Sequence, residues 1–126
     1  MPIYGIGSDI VDINRIKNAL RKKDFKKKIF SSSEIKNIET KVNHISGYAK
    51  RFAAKEAFSK ALGTGISGGI AFKDISIKNE NNGRPFIELF GKTKSIVKKI
   101  IKKKYKIFLT MSDEKKYAMA MVVITS

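Results

Sequence analysis

A chain of 126 residues suits one domain, residues 1–126, because chains divide into separate cores only beyond about 250 residues. Its 27 lysines and arginines against 11 aspartates and glutamates give a formal charge of +16, which draws anionic partners of any kind: nucleic acid, phosphorylated small molecules, anionic lipid or acidic protein. The absence of cysteine excludes thiolate catalysis, disulfides and cysteine metal sites. With no leader-like N-terminus and no apolar run near the roughly 20 residues of a membrane span, the chain reads as cytoplasmic.

The first element is a strand, Ile3 to Ile13. Its alternation puts Gly5, Gly7, Asp9 and Val11 on one face and Tyr4, Ile6, Ser8 and Ile10 on the other. Glycines beside Asp9 remove side-chain bulk and let another chain or a ligand come close to the backbone. A helix follows over Asn14 to Lys23, with Ile13, Ile16 and Leu20 on its apolar stripe and Arg15, Lys17, Arg21 and Lys22 mostly away from it; Asp12 stands where a cap is needed. Ser31 to Glu34 form a capping box that opens a short helix to about Lys41. The alanine-rich segment Gly47 to Leu62 is the strongest helix pattern in the chain, with Gly63 placed to end it.

A glycine-rich loop over Gly63 to Gly69 comes next. Two strands, Asp74 to Asn79 and Pro85 to Phe90, then form a hairpin around Asn81 to Arg84. Ile96, Val97, Ile100 and Ile101 mark an amphipathic helix, and Lys106 to Ser112 with Tyr117 to Thr125 form a closing hairpin. The order β-α-α-α-β-β-α-β-β, with strands joined by tight turns, predicts an α+β fold whose sheet is mainly antiparallel around a long central helix. A chain this short buries only about two-thirds of its unfolded surface, so its clefts are expected to be shallow or shared between subunits.

Glu56 and Lys60 stand four apart on one helical face, a spacing that by itself describes an ordinary helix-stabilising pair. Joined to Asp9 on its glycine-flanked strand, the same pair describes a Mg²⁺ site, because magnesium prefers one or two carboxylates with phosphate oxygens and water completing its octahedron. Spacing alone does not bring Asp9 to Glu56.

The segment Gly5-Ile-Gly-Ser-Asp-Ile-Val-Asp-Ile-Asn-Arg-Ile16, together with Arg51-Phe-Ala-Ala-Lys-Glu-Ala-Phe-Ser-Lys-Ala-Leu-Gly-Thr-Gly65, closely resembles the two signature blocks of the holo-acyl carrier protein synthases, the short 4′-phosphopantetheinyl transferases. A weaker resemblance runs through Asn82-Gly-Arg-Pro85 and the closing strands. It implies transfer of 4′-phosphopantetheine from coenzyme A to a serine of apo-acyl carrier protein for fatty acid biosynthesis, with release of adenosine 3′,5′-bisphosphate. It further implies Asp9 and Glu56 as Mg²⁺ ligands and Lys60 beside the pyrophosphate. Glu56, Lys60 and a metal-bound water all stand open as the base that takes the serine proton.

By the same resemblance, Gly63, Thr64 and Gly65, the turn Asn82, Gly83, Arg84 and Pro85, and Ser112 line the nucleotide cleft. Arg15, Arg21 and Lys22 dock the acidic carrier protein, and the assembly is a homotrimer with active sites between subunits. Many relatives carry a histidine after the strand serine, where this chain reads Thr110-Met-Ser-Asp113, so no imidazole acts there and Asp113 repels phosphate unless it turns away. From a different class, the charge and the runs Lys26 to Lys28 and Lys102 to Lys104 also suit a small nucleic-acid-binding module. No zinc, KH or RNP-type motif accompanies them. A membrane-surface helix would need an apolar face that Lys22 to Lys28 lacks.

Overall fold

A computed structural model describes all 126 residues. In chain order the elements are strand β1 (Ile3–Asp12), helices α1 (Ile13–Ala19), α2 (Phe25–Ile29), α3 (Ser32–Glu39) and α4 (His44–Leu62), a 3₁₀ turn (Phe72–Asp74), strands β2 (Ile75–Asn79) and β3 (Pro85–Leu89), helix α5 (Gly91–Ile101), and strands β4 (Lys106–Asp113) and β5 (Tyr117–Thr125). All strand pairs are antiparallel. β5 lies between β1 and β4 in a three-stranded sheet, and β2 pairs with β3 in a separate hairpin. The expected α+β architecture is present, with differences in the helices, the first being that α1 ends at Ala19 with Leu20 as its C-cap, four residues short of the expected Lys23.

The lysine-rich stretch after α1 holds the extra helix α2, which sequence reading left out because three of its five residues are lysines. Phe25 and Ile29 make it amphipathic: Ile29 is buried and Phe25 stacks on Phe52. In addition, α4 begins three residues before Gly47, at His44, because Asn43 caps it by accepting from the Ser46 amide. The other caps form as the residue types require. Asp12 accepts from the Asn14 and Arg15 amides, Ser31 and Glu34 complete the capping box, and Gly63 ends α4 at φ +93°.

Helix α4 is the core of the molecule. It lies across β1 and β5, with Ala49, Ala53, Ala54, Ala57, Phe58, Ala61 and Leu62 buried. Gly5 and Gly7 decide how closely it approaches. A Cβ on Gly5 would lie 1.9 Å from the carbonyl oxygen of Ala61, and one on Gly7 would lie 2.0 Å from that of Ala57. The space beside the two glycines is therefore filled by the backbone of this chain's own helix, not by a ligand or another chain. The opposite face of the sheet is bare: Ile6, Ile10, Phe108, Met119 and Met121 are all exposed there, Ile10 by 66%.

A second structural centre sits one residue before Glu56. Lys55 is fully buried, and its ammonium donates to Glu34 Oε1 (2.8 Å), to the Phe72 carbonyl (2.8 Å) and to the Ile75 carbonyl. Glu34, equally buried, also accepts from the amides of Ser31 (2.9 Å) and Ile77 (3.2 Å). Three donors meet three acceptors around one buried charge pair, which ties α3, α4 and β2 together. Burial lowers the lysine pKa, and the charge of Glu34 pulls it back up.

Candidate active site

The close crossing of α4 over β1 builds the site. Asp9 follows Gly7 by two residues and so faces the helix, while Glu56 and Lys60 project from the turn of α4 packed above it. Lys60 reaches across to β1 rather than to Glu56: its ammonium donates to Asp9 Oδ1 (2.9 Å) and to the Ser8 carbonyl (3.0 Å). The structure thus brings Asp9, Glu56 and Lys60 together, and the ordinary helix pair anticipated between Glu56 and Lys60 gives way to an ion pair between strand and helix.

Partial burial raises the pKa of the Glu56 carboxyl, and the nearby charge of Asp9 raises it further, against smaller opposing effects of Lys60 and Arg15. Two carboxylates this close disfavour simultaneous ionisation, and a cation between them relieves the repulsion. Asp9 and Glu56 form a pair with no third acidic or imidazole ligand, since no cluster of three or more such groups occurs. That donor set is too small to enclose calcium or zinc. It fits magnesium, which keeps several waters and takes further oxygens from a phosphorylated substrate.

The residues expected to bind nucleotide are placed less simply. The amides of Gly63, Thr64 and Gly65 all turn back to the Ser59 carbonyl, at 3.1, 3.2 and 3.1 Å, so this turn spends its backbone donors on ending α4. The turn over Asn82, Gly83, Arg84 and Pro85 is an Asx turn, with Asn82 accepting from the Arg84 amide at 3.0 Å. It is held to α4 by a relay that sequence reading missed: buried Arg51 donates to Asn79 (3.3 Å) and Asn37 (2.9 Å), and Asn79 donates to the Gly83 carbonyl (2.9 Å). Arg51 stands five residues before Glu56, inside the signature block, and no spacing rule distinguishes it from a surface arginine.

Ser112 pairs across β5 with Met119, which also opposes Ile10, so it projects from the bare face of the sheet, opposite to Asp9. Asp113 is on the inner face, where its carboxylate meets Lys50 of α4 at 3.4 Å. Arg15 and Lys22 border a groove of about 580 Å³ along α1, floored by Ile16, Ala19, Phe25 and Phe52, whereas Arg21 is exposed outside it.

Fold and site together define a small α+β protein with a carboxylate pair and one lysine at a helix–strand crossing, an arrangement suited to a substrate rich in phosphate. The profile of the 4′-phosphopantetheinyl transferase superfamily matches residues 5–122, and the chain belongs to that family. It is 49% identical over 125 residues to the holo-[acyl-carrier-protein] synthase of Pelagibacter ubique, covering 98% of both chains, and 44% identical to that of Aliivibrio salmonicida over the whole of both. Among solved structures, the holo-[acyl-carrier-protein] synthase of Neisseria meningitidis superposes with a TM-score of 0.88 at 36% identity, covering 98% of this chain and 99% of that one. The Bacillus anthracis synthase, in complex with CoA (3′,5′-ADP), superposes with a TM-score of 0.83 at 33% identity, covering 100% and 99%.

Proposed function

We propose that this chain is a holo-[acyl-carrier-protein] synthase, moving 4′-phosphopantetheine from coenzyme A to a serine hydroxyl of apo-acyl carrier protein in fatty acid biosynthesis and releasing adenosine 3′,5′-bisphosphate. The observation that carries this reading is the meeting of Asp9, Glu56 and Lys60 at the α4–β1 crossing, within a chain whose full length matches synthases. Asp9 and Glu56 would hold Mg²⁺, which when bound would neutralise charge on the pyrophosphate. Lys60, fixed by Ser8 and Asp9, presents a positioned cation to the leaving phosphate. The serine proton is taken at this crossing by Glu56, by Lys60 or by a metal-bound water.

Ser112 and the bare apolar face suggest how the cleft is completed. Ser112 cannot face the Asp9 of its own chain, so it lines the nucleotide cleft of a neighbour, with Ile6, Ile10, Phe108, Met119 and Met121 buried between copies in a homotrimer. Thr64, Arg84 and Pro85 contribute side chains to the same cleft. The acidic carrier protein docks in the α1 groove, where Arg15 and Lys22 border an apolar floor and Arg21 adds to the field at its edge; rim charges of this kind chiefly speed encounter. No helix is long and apolar enough to cross a membrane. On this reading the reaction runs in the cytoplasm, where its two substrates are expected.

The test is the intact mass of an apo-acyl carrier protein after incubation with this protein and coenzyme A, with Mg²⁺, with chelator, and with Asp9→Ala in place of the wild type. A phosphopantetheine-sized gain confined to the wild type with metal is expected. No gain with several competent carriers would sink the reading.

A further inference from the structure

At the far end of the sheet from Asp9 lies a groove of about 730 Å³ bordered by Lys94, Lys98, Lys102, Lys103, Lys104 and Lys106, with no acid among its lining residues. Register places it. Lys106 and Ile3 both pair with Thr125, whereas Asp9 and Met111 both oppose Ala120, so five or six residues, roughly 20 Å at about 3.3 Å each, separate the two sites. The C-terminus of α5 accounts for a lysine or two by its dipole, an effect that fades beyond the last turn, and not for six. The chain is also turned back on itself there, with Lys102 in the left-handed region at φ +65°.

A second cleft, of about 340 Å³, opens beside the first where β3 and β4 lie next to each other without pairing. Its walls are Phe86, Ile87, Leu89 and Ile107, and Lys94 and Tyr105 border both spaces. The one acid on this cleft, Glu88, is paired with Lys78 at 2.6 Å. Ile107 points to the inner side of the sheet, away from the bare face assigned to subunit contacts. Burial holds the Tyr105 phenol protonated, which leaves it a donor at the junction of the two spaces.

We propose that the two spaces form one binding site for an anionic amphiphile, a single alkyl or acyl chain ending in a phosphate. The lysines take the head, the β3–β4 cleft takes the chain, and Lys94 and Tyr105 meet the ester oxygen between them. Such a ligand reaches the protein either as a free monomer or as the headgroup of a bilayer. The free monomer is the occupant here, because a bilayer surface presents heads while keeping the tails buried, and so offers no chain to the apolar walls Phe86, Ile87, Leu89 and Ile107.

The test uses monododecyl phosphate below its micellar concentration, added to ¹⁵N-labelled protein and titrated by calorimetry. Amides of Phe86, Ile87, Tyr105 and Ile107 are expected to shift, with affinity rising up to about fourfold for each methylene buried across an octyl-to-dodecyl series. The Lys98→Glu/Lys102→Glu double variant is expected to bind at least about tenfold more weakly while transferring phosphopantetheine at the wild-type rate, since neither residue belongs to the transfer site. Inorganic phosphate binding as tightly as dodecyl phosphate would reduce the site to bare charge and overturn the proposal. Shifts confined to Arg15, Lys22 and Phe25 would overturn it in favour of the α1 groove, and tighter binding to phosphatidic acid vesicles than to the monomer in favour of a membrane-facing surface.

Discussion

Lys55 and Lys60 lie five residues apart on the same helix, each paired with a carboxylate from another element, and they have opposite uses. Lys55 and Glu34 are wholly buried, and both find hydrogen-bond partners on every side. Lys60 is about half exposed, and Asp9 shares its surroundings with a second carboxylate that raises repulsion rather than relieving it. A charge pair with every donor and acceptor satisfied has nothing left to offer a substrate, so it fixes the fold. One that is half exposed, with a second carboxylate crowded beside it, is left unsatisfied by the fold itself.

That contrast breaks most sharply at the exposed pair. Asp9→Ala is expected to lower phosphopantetheine transfer by on the order of 10²–10³-fold or more while leaving the melting temperature unchanged or raised, measured by carrier-protein mass and by calorimetry. Lys55→Met should do the reverse: stability falls by about 3–5 kcal/mol in urea unfolding, because Glu34 is left charged and unpaired, and adding Glu34→Gln should restore part of it. An additive loss in that double variant would show that the pair acts through packing alone.

Gly7→Ala tests whether the close crossing builds the site. Its Cβ would collide with the Ala57 carbonyl, so a cost of about 1–3 kcal/mol is expected together with a fall in kcat, as Glu56 and Lys60 are lifted from Asp9. A fall in stability without change in kcat would separate the crossing from the chemistry. The smallest effect concerns Glu56. Its pKa in the fold lies above the ordinary carboxylate value, so the folded chain holds this proton to higher pH than the unfolded one, and stability is lost as pH rises through that interval. Glu56→Gln should therefore gain stability near neutral pH and gain none well below the ordinary carboxylate range. Carboxyl NMR of the metal-free protein should show the Glu56 midpoint moving down in Asp9→Asn; no movement would mean that burial alone sets it.

Residues whose effect is local were legible from the sequence. Asp12, Ser31 and Glu34 cap helices through their own neighbours, Gly63 adopts a conformation that side chains resist, and alternation on β1 set Asp9 on the same side as Gly5 and Gly7. The two signature blocks likewise pointed to the family that the comparisons establish. The charge of +16 left carrier protein, nucleotide and nucleic acid equally open, because a field of one sign does not choose among anions.

Only the tertiary structure decided what fills the space beside the glycines, which carboxylate Lys60 meets, and on which face Ser112 stands. It also revealed the buried functions of Lys55 and Arg51, which in sequence look like any of the other basic residues. Capping and alternation are set within a few residues of chain, whereas the pairing of a charge depends on which distant segment packs against it. For Asp9 and Lys60 that segment lies 51 residues away, and two missing side chains on β1 let it come close enough.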